Sequence, residues 1–331
     1  MLNKIIPFKR VLITGISGSG GSYLAEYIVQ NHPEVEIHGL SRWHSTTNHD
    51  NLHAVRDRVV IHECDLLDSL SILAALEKSQ PDAIFHLASH ANVRASFQTP
   101  VAVLENNILG TVNLFEAVRS VGVLPRFLLC SSSEVYGQVS RENGPINEDT
   151  RIRPVSPYAV SKATQDMLGY YYFVAYKIPV IITRMYAYLN MLRADLFATA
   201  FARQIARIEL GLQKELVHGN LDSIRTIIDV RDAMRAYWEA LLHCEPGEAY
   251  NIGGDTVKSV REVLNDLVSL AKVPIPMREE QTLLRPADVT NQIPNTKKFR
   301  DATGWKPHYS FQESLTDLLA HVRTEVAKEE R

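Results

Sequence analysis

The sequence predicts an α/β fold built on a doubly wound parallel sheet with a smaller C-terminal lobe, and three observations carry that expectation. Short apolar runs alternate with stretches of helical periodicity through the first 185 residues. The runs are continuous and β-branched, as in strands covered by helices on both faces. A glycine-rich loop joins the first run to the first helical stretch. In chain order we read strands at 10–14, 35–40, 59–63, 83–87, 127–131 and 180–184. Helices are read at 22–30, 69–78, 103–119 and 159–176.

Beyond residue 185 the rhythm changes. A helix at 196–211, a short strand at 215–218, a helix at 230–243 and a short strand at 249–252 follow, then a helix after Ser259, an Arg/Pro-rich loop and a final helix at 311–327. We expect residues 1–185 to form the sheet domain and 186–331 a smaller α/β lobe, with some elements crossing between them. At roughly 150 residues per domain the length allows two.

Composition narrows the function classes. The 35 Lys and Arg against 38 Asp and Glu leave a net charge of −3, with no basic block to track nucleic acid or an anionic membrane. No stretch of 18 consecutive apolar residues occurs, and no export signal is read at the start of the chain. Cys64, Cys130 and Cys244 are odd in number and far apart, so they read as buried thiols in a reducing compartment. A cytoplasmic location is therefore expected.

Three features carry chemistry. Gly15-Ile16-Ser17-Gly18-Ser19-Gly20-Gly21 lies between a strand and a helix, where Gly15, Gly18 and Gly21 allow a tight turn and backbone N–H groups approach a pyrophosphate. At the end of the second strand stands Arg42, where an acid would hold the ribose hydroxyls of NAD; a cation there suits the 2′-phosphate of NADP. Asp65 and Leu66, just past the third strand, can flank an adenine or simply close a turn. Third, Ser131-Ser132-Ser133-Glu134 ends the fifth strand, and Tyr158 and Lys162 follow four apart on one helix face. An ammonium beside a phenol favours the phenolate, which makes Tyr158 a candidate acid/base for carbinol–carbonyl interconversion. His86 and His90 are four apart, but no Cys or carboxylate cluster accompanies them, so no metal is expected. The aromatic run from Tyr170 to Phe173 reads as packing or a subunit contact.

Together with Asn107-Ile108-Leu109-Gly110-Thr111, these residues resemble the extended short-chain dehydrogenase/reductases, whose fold is of Rossmann type. Segments 15–26, 86–96, 131–137, 154–162, 219–232 and 285–289 most resemble the GDP-mannose 4,6-dehydratases and the related GDP-4-keto-6-deoxymannose reductases. The resemblance implies an NADP enzyme acting on a GDP-linked sugar and assembling as a homodimer or homotetramer. It implies that Lys162 also holds the nicotinamide ribose and that Asn107 either lies at the cofactor's edge or braces the backbone there. Ser132 would hydrogen-bond the sugar's 4-oxygen, with Ser133 beside it, and Glu134 would be the dehydratase carboxylate. Arg225 and Arg285 would grip the diphosphate, and Asp288 would lie near the nucleotide.

One stretch departs from the family's usual Arg-x-Phe-Asn-His-x-x-Pro-Arg: here it reads Arg184-Met185-Tyr186-Ala187-Tyr188-Leu189-Asn190-Met191-Leu192-Arg193, where Ala187 offers no amide to a ligand and Asn190, three residues on, does not stand in for it. Two further functions remain open at this stage. One is an NADPH-dependent ketoreductase or epimerase built on Tyr158 and Lys162. The other is a non-catalytic dinucleotide sensor, which would have no need of Ser132, Tyr158 and Lys162 together.

Overall fold

A computed structural model describes residues 8–42, 50–284 and 287–329. Seven parallel strands form the main sheet: β1 (Arg10–Thr14), β2 (Glu36–Ser41), β3 (Val59–Glu63), β4 (Ala83–His86), β5 (Arg126–Ser132), β6 (Val180–Met185) and, out of sequence, β10 (Ala249–Ile252). Their spatial order is β10-β6-β5-β4-β1-β2-β3. The order reverses between β1 and β4, and in such sheets ligands bind beyond the strands' C-terminal ends at that point.

Three helices of the first half cover one face: α2 (Ser69–Ser79), α5 (Gly110–Val121) and α6 (Pro157–Tyr176). Leu12, Ile84, Phe115, Phe127 and Ile182 make the core beneath them. On the other face lie α1 (Ser19–Asn31) and α8 (Val230–His243), packed around the fully buried Trp238. A strand and a helix from beyond residue 185 thus complete the first layer.

The remaining elements are α3 (Val93–Ser96), α4 (Pro100–Leu104), β7 (Ala187–Leu189), α7 (Phe197–Glu209), β8 (Leu216–His218), β9 (Ile224–Asp229), β11 (Thr256–Ser259), α9 (Val260–Ser269), β12 (Met277–Glu279), β13 (Asn291–Gln292), α10 (Lys297–Thr303) and α11 (Phe311–Lys328). β9 is the hub of a second sheet, antiparallel to β11 and parallel to both β7 and β13. α7, α9 and α11 bury a separate apolar core against it, centred on Ile205, Leu264 and Leu318. Ser259 with Glu262 and Ser310 with Glu313 form reciprocal capping boxes that fix where α9 and α11 begin.

Two local expectations need correction. α1 begins at Ser19, three residues before the expected start, so Gly20 and Gly21 belong to the helix. The helix expected at 103–119 is instead α4, a π-helical turn at Glu105–Leu109, and α5. Such turns insert one residue into a helix and change which side chains face inward; Asn106 and Asn107 are both buried there.

Candidate active site

Beyond the C-terminal ends of β1, β2, β4 and β5 opens a cleft of about 1280 Å³, bounded on its far side by the second sheet. At one end lies the glycine loop. Gly15 has φ +70°, which a residue with a Cβ adopts only with strain, and a Cβ there would stand 3.0 Å from the Ala88 Cα. A Cβ on Gly21 would stand 2.4 Å from the Gly15 carbonyl oxygen, so only glycine lets the helix start directly on the loop. The Gly18 N–H donates to the Gly15 carbonyl at 2.9 Å and closes the turn. α1 carries no side-chain cap and no acid in its first turn. Its leading amides and the positive end of its dipole therefore face the cleft, as a pyrophosphate requires.

Arg42 lines the cleft immediately after β2, and Leu66 lines it from beyond β3. Asp65 is exposed, and its carboxylate accepts the Leu67 N–H at 2.9 Å, the turn-closing role. Asn107, named above among the cofactor-binding residues, lies behind the cleft wall, 1% exposed. Its Oδ1 accepts the His90 N–H at 2.8 Å and the Asn106 side-chain amide at 2.9 Å. Its Nδ2 donates to Ser161 Oγ at 2.9 Å and to the His90 carbonyl at 3.2 Å. Of its two implied places, the geometry is that of a brace. His90 lines the cleft on this brace, while His86 is buried between Thr14 and Thr111 at 2.9 and 2.8 Å.

Ser156 caps α6 and Pro157 sits in its first turn, which sets Tyr158 and Lys162 one turn apart in the cleft wall. Ser132, at the end of β5, hydrogen-bonds the Tyr158 phenol. Lys162 Nζ donates to the Cys130 carbonyl at 2.7 Å and stands 5.9 Å from the centre of the Tyr158 ring. Burial holds the Tyr158 phenol above its ordinary value, with the Ser132 hydrogen bond and the Arg193 charge acting the other way. Burial also lowers Lys162 itself.

Ser133 and Glu134 open a short 3₁₀ turn (Ser133–Tyr136), and the Glu134 N–H donates to Ser132 Oγ at 3.2 Å. The Glu134 carboxylate lines the cleft and accepts the Gln292 side-chain amide at 2.9 Å. At the far end of the cleft, Arg225 approaches Asp288 at 3.8 Å, and Asp288 accepts from Asn220 and Ser223 at 2.9 and 3.2 Å. Arg285 lies outside the described residues. Ala187 lines the cleft, and Asn190 is fully buried, donating to the Ser19 carbonyl at 3.2 Å and accepting the Leu192 N–H at 2.9 Å.

Sequence reasoning missed Gln292, Tyr188, Arg193 and Asp195, all at or beside the cleft. Arg193 ends the segment that departs from the family pattern, the one signal that pointed there. Gln292 has no motif and reaches Glu134 across 158 residues of chain.

The comparisons agree with this architecture. Residues 12–318 match the family model described as GDP-mannose 4,6 dehydratase. A Pseudomonas aeruginosa relative named GDP-6-deoxy-D-mannose reductase is 32% identical, covering 97% of this chain and 99% of its own. A GDP-mannose 4,6-dehydratase of Yersinia enterocolitica is 29% identical, covering 94% and 93%. Among solved structures, RMD from P. aeruginosa complexed with NADPH superposes with TM-score 0.83 at 30% identity, over 96% of this chain and 99% of that one. DesIV, a dTDP-glucose 4,6-dehydratase of Streptomyces venezuelae with NAD and TYD bound, gives 0.87 at 25% identity, over 96% and 98%. With a match that spans nearly the whole chain, from the first strand to the last helix, the protein belongs to the GDP-mannose 4,6-dehydratase family.

Proposed function

We propose that the protein is a nucleotide-sugar 4,6-dehydratase that converts GDP-mannose to GDP-4-keto-6-deoxymannose with NADP in its cleft. The observation that carries the reading is the placement of Glu134 in the same cleft as Ser132, Tyr158 and Lys162. A dehydratase needs both an acid/base for a carbinol and a separate base for carbon; a simple reductase needs the first alone.

The residues present fit the cofactor. Gly15, Gly18 and the open start of α1 would hold the pyrophosphate, Arg42 the 2′-phosphate, Leu66 the adenine side and Lys162 the nicotinamide ribose. When bound, the nicotinamide supplies a reversible acceptor of hydride. Tyr158 takes the proton of the sugar's 4-hydroxyl, with Ser132 hydrogen-bonded to the same oxygen. With carbon 4 at the ketone level, the hydrogen on carbon 5 is acidic and Glu134 removes it. The 6-hydroxyl then leaves as water with that proton, and the enone left behind would regain at carbon 6 the hydride given up by carbon 4 and, at carbon 5, a proton from solvent. Arg225 and Arg285 would pair with the diphosphate through their planar forks, and Asp288 would lie beside the nucleotide. On this reading residues 1–185 hold the dinucleotide and 186–331 the sugar nucleotide, with α8 and β10 crossing between them.

One exposed helix face supports the proposed assembly. α6 exposes Met167, Tyr170, Tyr171 and Val174, an apolar face suited to a second copy in a homodimer or homotetramer. The location proposed is cytoplasmic, in keeping with three free cysteines.

Purified protein given GDP-mannose without added reductant should release a 4-keto-6-deoxy sugar nucleotide and incorporate solvent deuterium at carbon 5. A second reading is favoured by the P. aeruginosa relative: reduction of a 4-keto-6-deoxy sugar nucleotide by NADPH. No product from GDP-mannose, with NADPH consumed one for one against the keto sugar, would establish that reading instead.

A further inference from the structure

The Glu134 carboxylate ends a flexible side chain whose last torsion is broad, so a defined orientation needs a partner. Gln292 supplies one. Its side-chain nitrogen donates to Glu134 Oε1 at 2.9 Å, and both side chains line the cleft. An ionised carboxylate only accepts, so the amide end that faces it is the donor. Gln292 is 3% exposed and has little room to swing away.

The strand that carries Gln292, β13, has two residues and is fixed along both edges. On one edge Asn291 and Gln292 stand in register with Ile224 and Arg225 of β9, and the Ile224 N–H donates to the Thr290 carbonyl at 2.8 Å. On the other edge lies the segment that follows Glu134. There the Gln138 side chain accepts the Thr290 N–H and donates to Thr290 Oγ1, both at 2.9 Å. The Ile146 N–H donates to the Ile293 carbonyl at 2.8 Å, and the Asn295 N–H donates to the Ile146 carbonyl at 2.7 Å. Gln292 is therefore tied both to the loop of Glu134 and to the strand of Arg225. Register partners on adjacent strands lie about 4.8 Å apart, so the residue that holds Glu134 and the residue proposed for the diphosphate start from neighbouring positions.

We propose that Gln292 is a positioning residue of the dehydration, whose amide fixes the Glu134 carboxylate by one oxygen and leaves the other to take the proton from carbon 5. In that step the bond from carbon 5 to hydrogen breaks, Glu134 takes the proton, and the electron pair passes towards the 4-oxygen of the ketone. A neutral donor suits the task. A lysine or arginine in its place would stabilise the carboxylate by charge and make it a weaker base. The role rests on Glu134 being the base of the proposed reaction.

The keto product still carries an acidic hydrogen on carbon 5, so the same carboxylate exchanges it with solvent while no hydride moves. The whole protein with NADP is given GDP-4-keto-6-deoxymannose in deuterium oxide, and loss of the carbon 5 proton signal is followed by NMR. Gln292→Met, similar in length but without a donor, should slow this exchange about tenfold or more, as a base displaced by a fraction of an ångström would. Gln292→Glu has the same shape and no donor when ionised; it should slow exchange at least as much, and it serves if the Met variant fails to fold. With GDP-mannose, kcat should fall by the same factor while KM changes less than threefold. In a Glu134→Gln background, adding Gln292→Met should alter the remaining dehydration rate less than twofold, because a residue that acts through the carboxylate has nothing left to orient. Unmoved exchange in both variants of a protein that dehydrates GDP-mannose would overturn the role. So would a tenfold rise in KM with unmoved exchange, which would make Gln292 a substrate contact. An unsubstituted protein that neither dehydrates GDP-mannose nor exchanges carbon 5 would overturn the proposed function itself, a result that no Gln292 variant imitates.

Discussion

Replacing Asn107 with alanine should loosen the cofactor side of the cleft from behind. The side chain is 1% exposed and makes four hydrogen bonds. Its removal strands two buried donors, the His90 N–H and the Asn106 amide, whereas Ser161 keeps its own bond to the Tyr158 carbonyl at 2.7 Å. A buried donor left unpaired costs roughly 1–3 kcal/mol, so two cost about 2–6 kcal/mol before relaxation. Water entering from the cleft relieves His90 in part, and we expect a net loss of about 3 kcal/mol. Denaturant unfolding with an unchanged slope would read it as a lowered midpoint. Because Asn107 joins His90 to the turn of α6 that carries Tyr158, NADPH affinity should fall together with stability. A loss under about 1 kcal/mol with intact NADPH affinity would show that the brace does not hold the wall, and the reasoning would fail.

Three other changes probe separate parts of the argument. Glu134→Gln keeps a partner for Gln292 and should cut dehydration of GDP-mannose about a hundredfold or more, with NADPH binding, followed by fluorescence, preserved; unchanged turnover removes Glu134 from the chemistry. Gly21→Ala drives a Cβ to 2.4 Å from the Gly15 oxygen and should cost roughly 1–3 kcal/mol, with dinucleotide affinity reduced in calorimetric titration. Burial depresses His86 from 6.5 to about 3, so the unfolded chain takes up its proton first as pH falls. The stability this neutral imidazole contributes is complete above pH 6.5 and is lost down to pH 3, about 4–5 kcal/mol in all. His86→Gln should flatten that part of the acid-unfolding curve, and an unaltered slope would refute the assignment.

The strands were legible because each is a continuous apolar run, and the glycine loop because Gly15 and Gly21 leave no room for a side chain. Tyr158 and Lys162 were legible as a pair, since four residues on a helix is one face whatever the rest of the fold does. The anchor of Lys162 was not. The partner of Lys162 is a backbone carbonyl at Cys130, and any residue at that position would supply one. The early start of α1 was hidden because Gly20 and Gly21 are poor helix formers, and packing on the loop overrides that propensity. The π turn at Asn106 and Asn107 answers to partners 17 and 54 residues away, His90 and Ser161, that no local window contains. Gln292 lies further still from the carboxylate it holds.

The two ends of the cleft are joined by one uninterrupted piece of structure. β9 carries Arg225 in the substrate-side wall and ends at Asp229, which caps α8 through the Arg231 N–H at 2.8 Å. No loop intervenes between that strand and α8, and α8 packs along α1, whose first turn faces the pyrophosphate side. The same strand is paired through Ile227–Asp229 with β7, which continues from β6 of the main sheet after a single residue. Two direct connections therefore fix the span between the glycine loop and Arg225, and a packed core does not stretch continuously. On the proposed function, a sugar nucleotide seated on Arg225 and a dinucleotide seated on the helix start would be held at a set separation, so that both anchors together would decide where the sugar's carbon 4 lies. Strengthening either anchor alone therefore cannot correct a misplacement at the other.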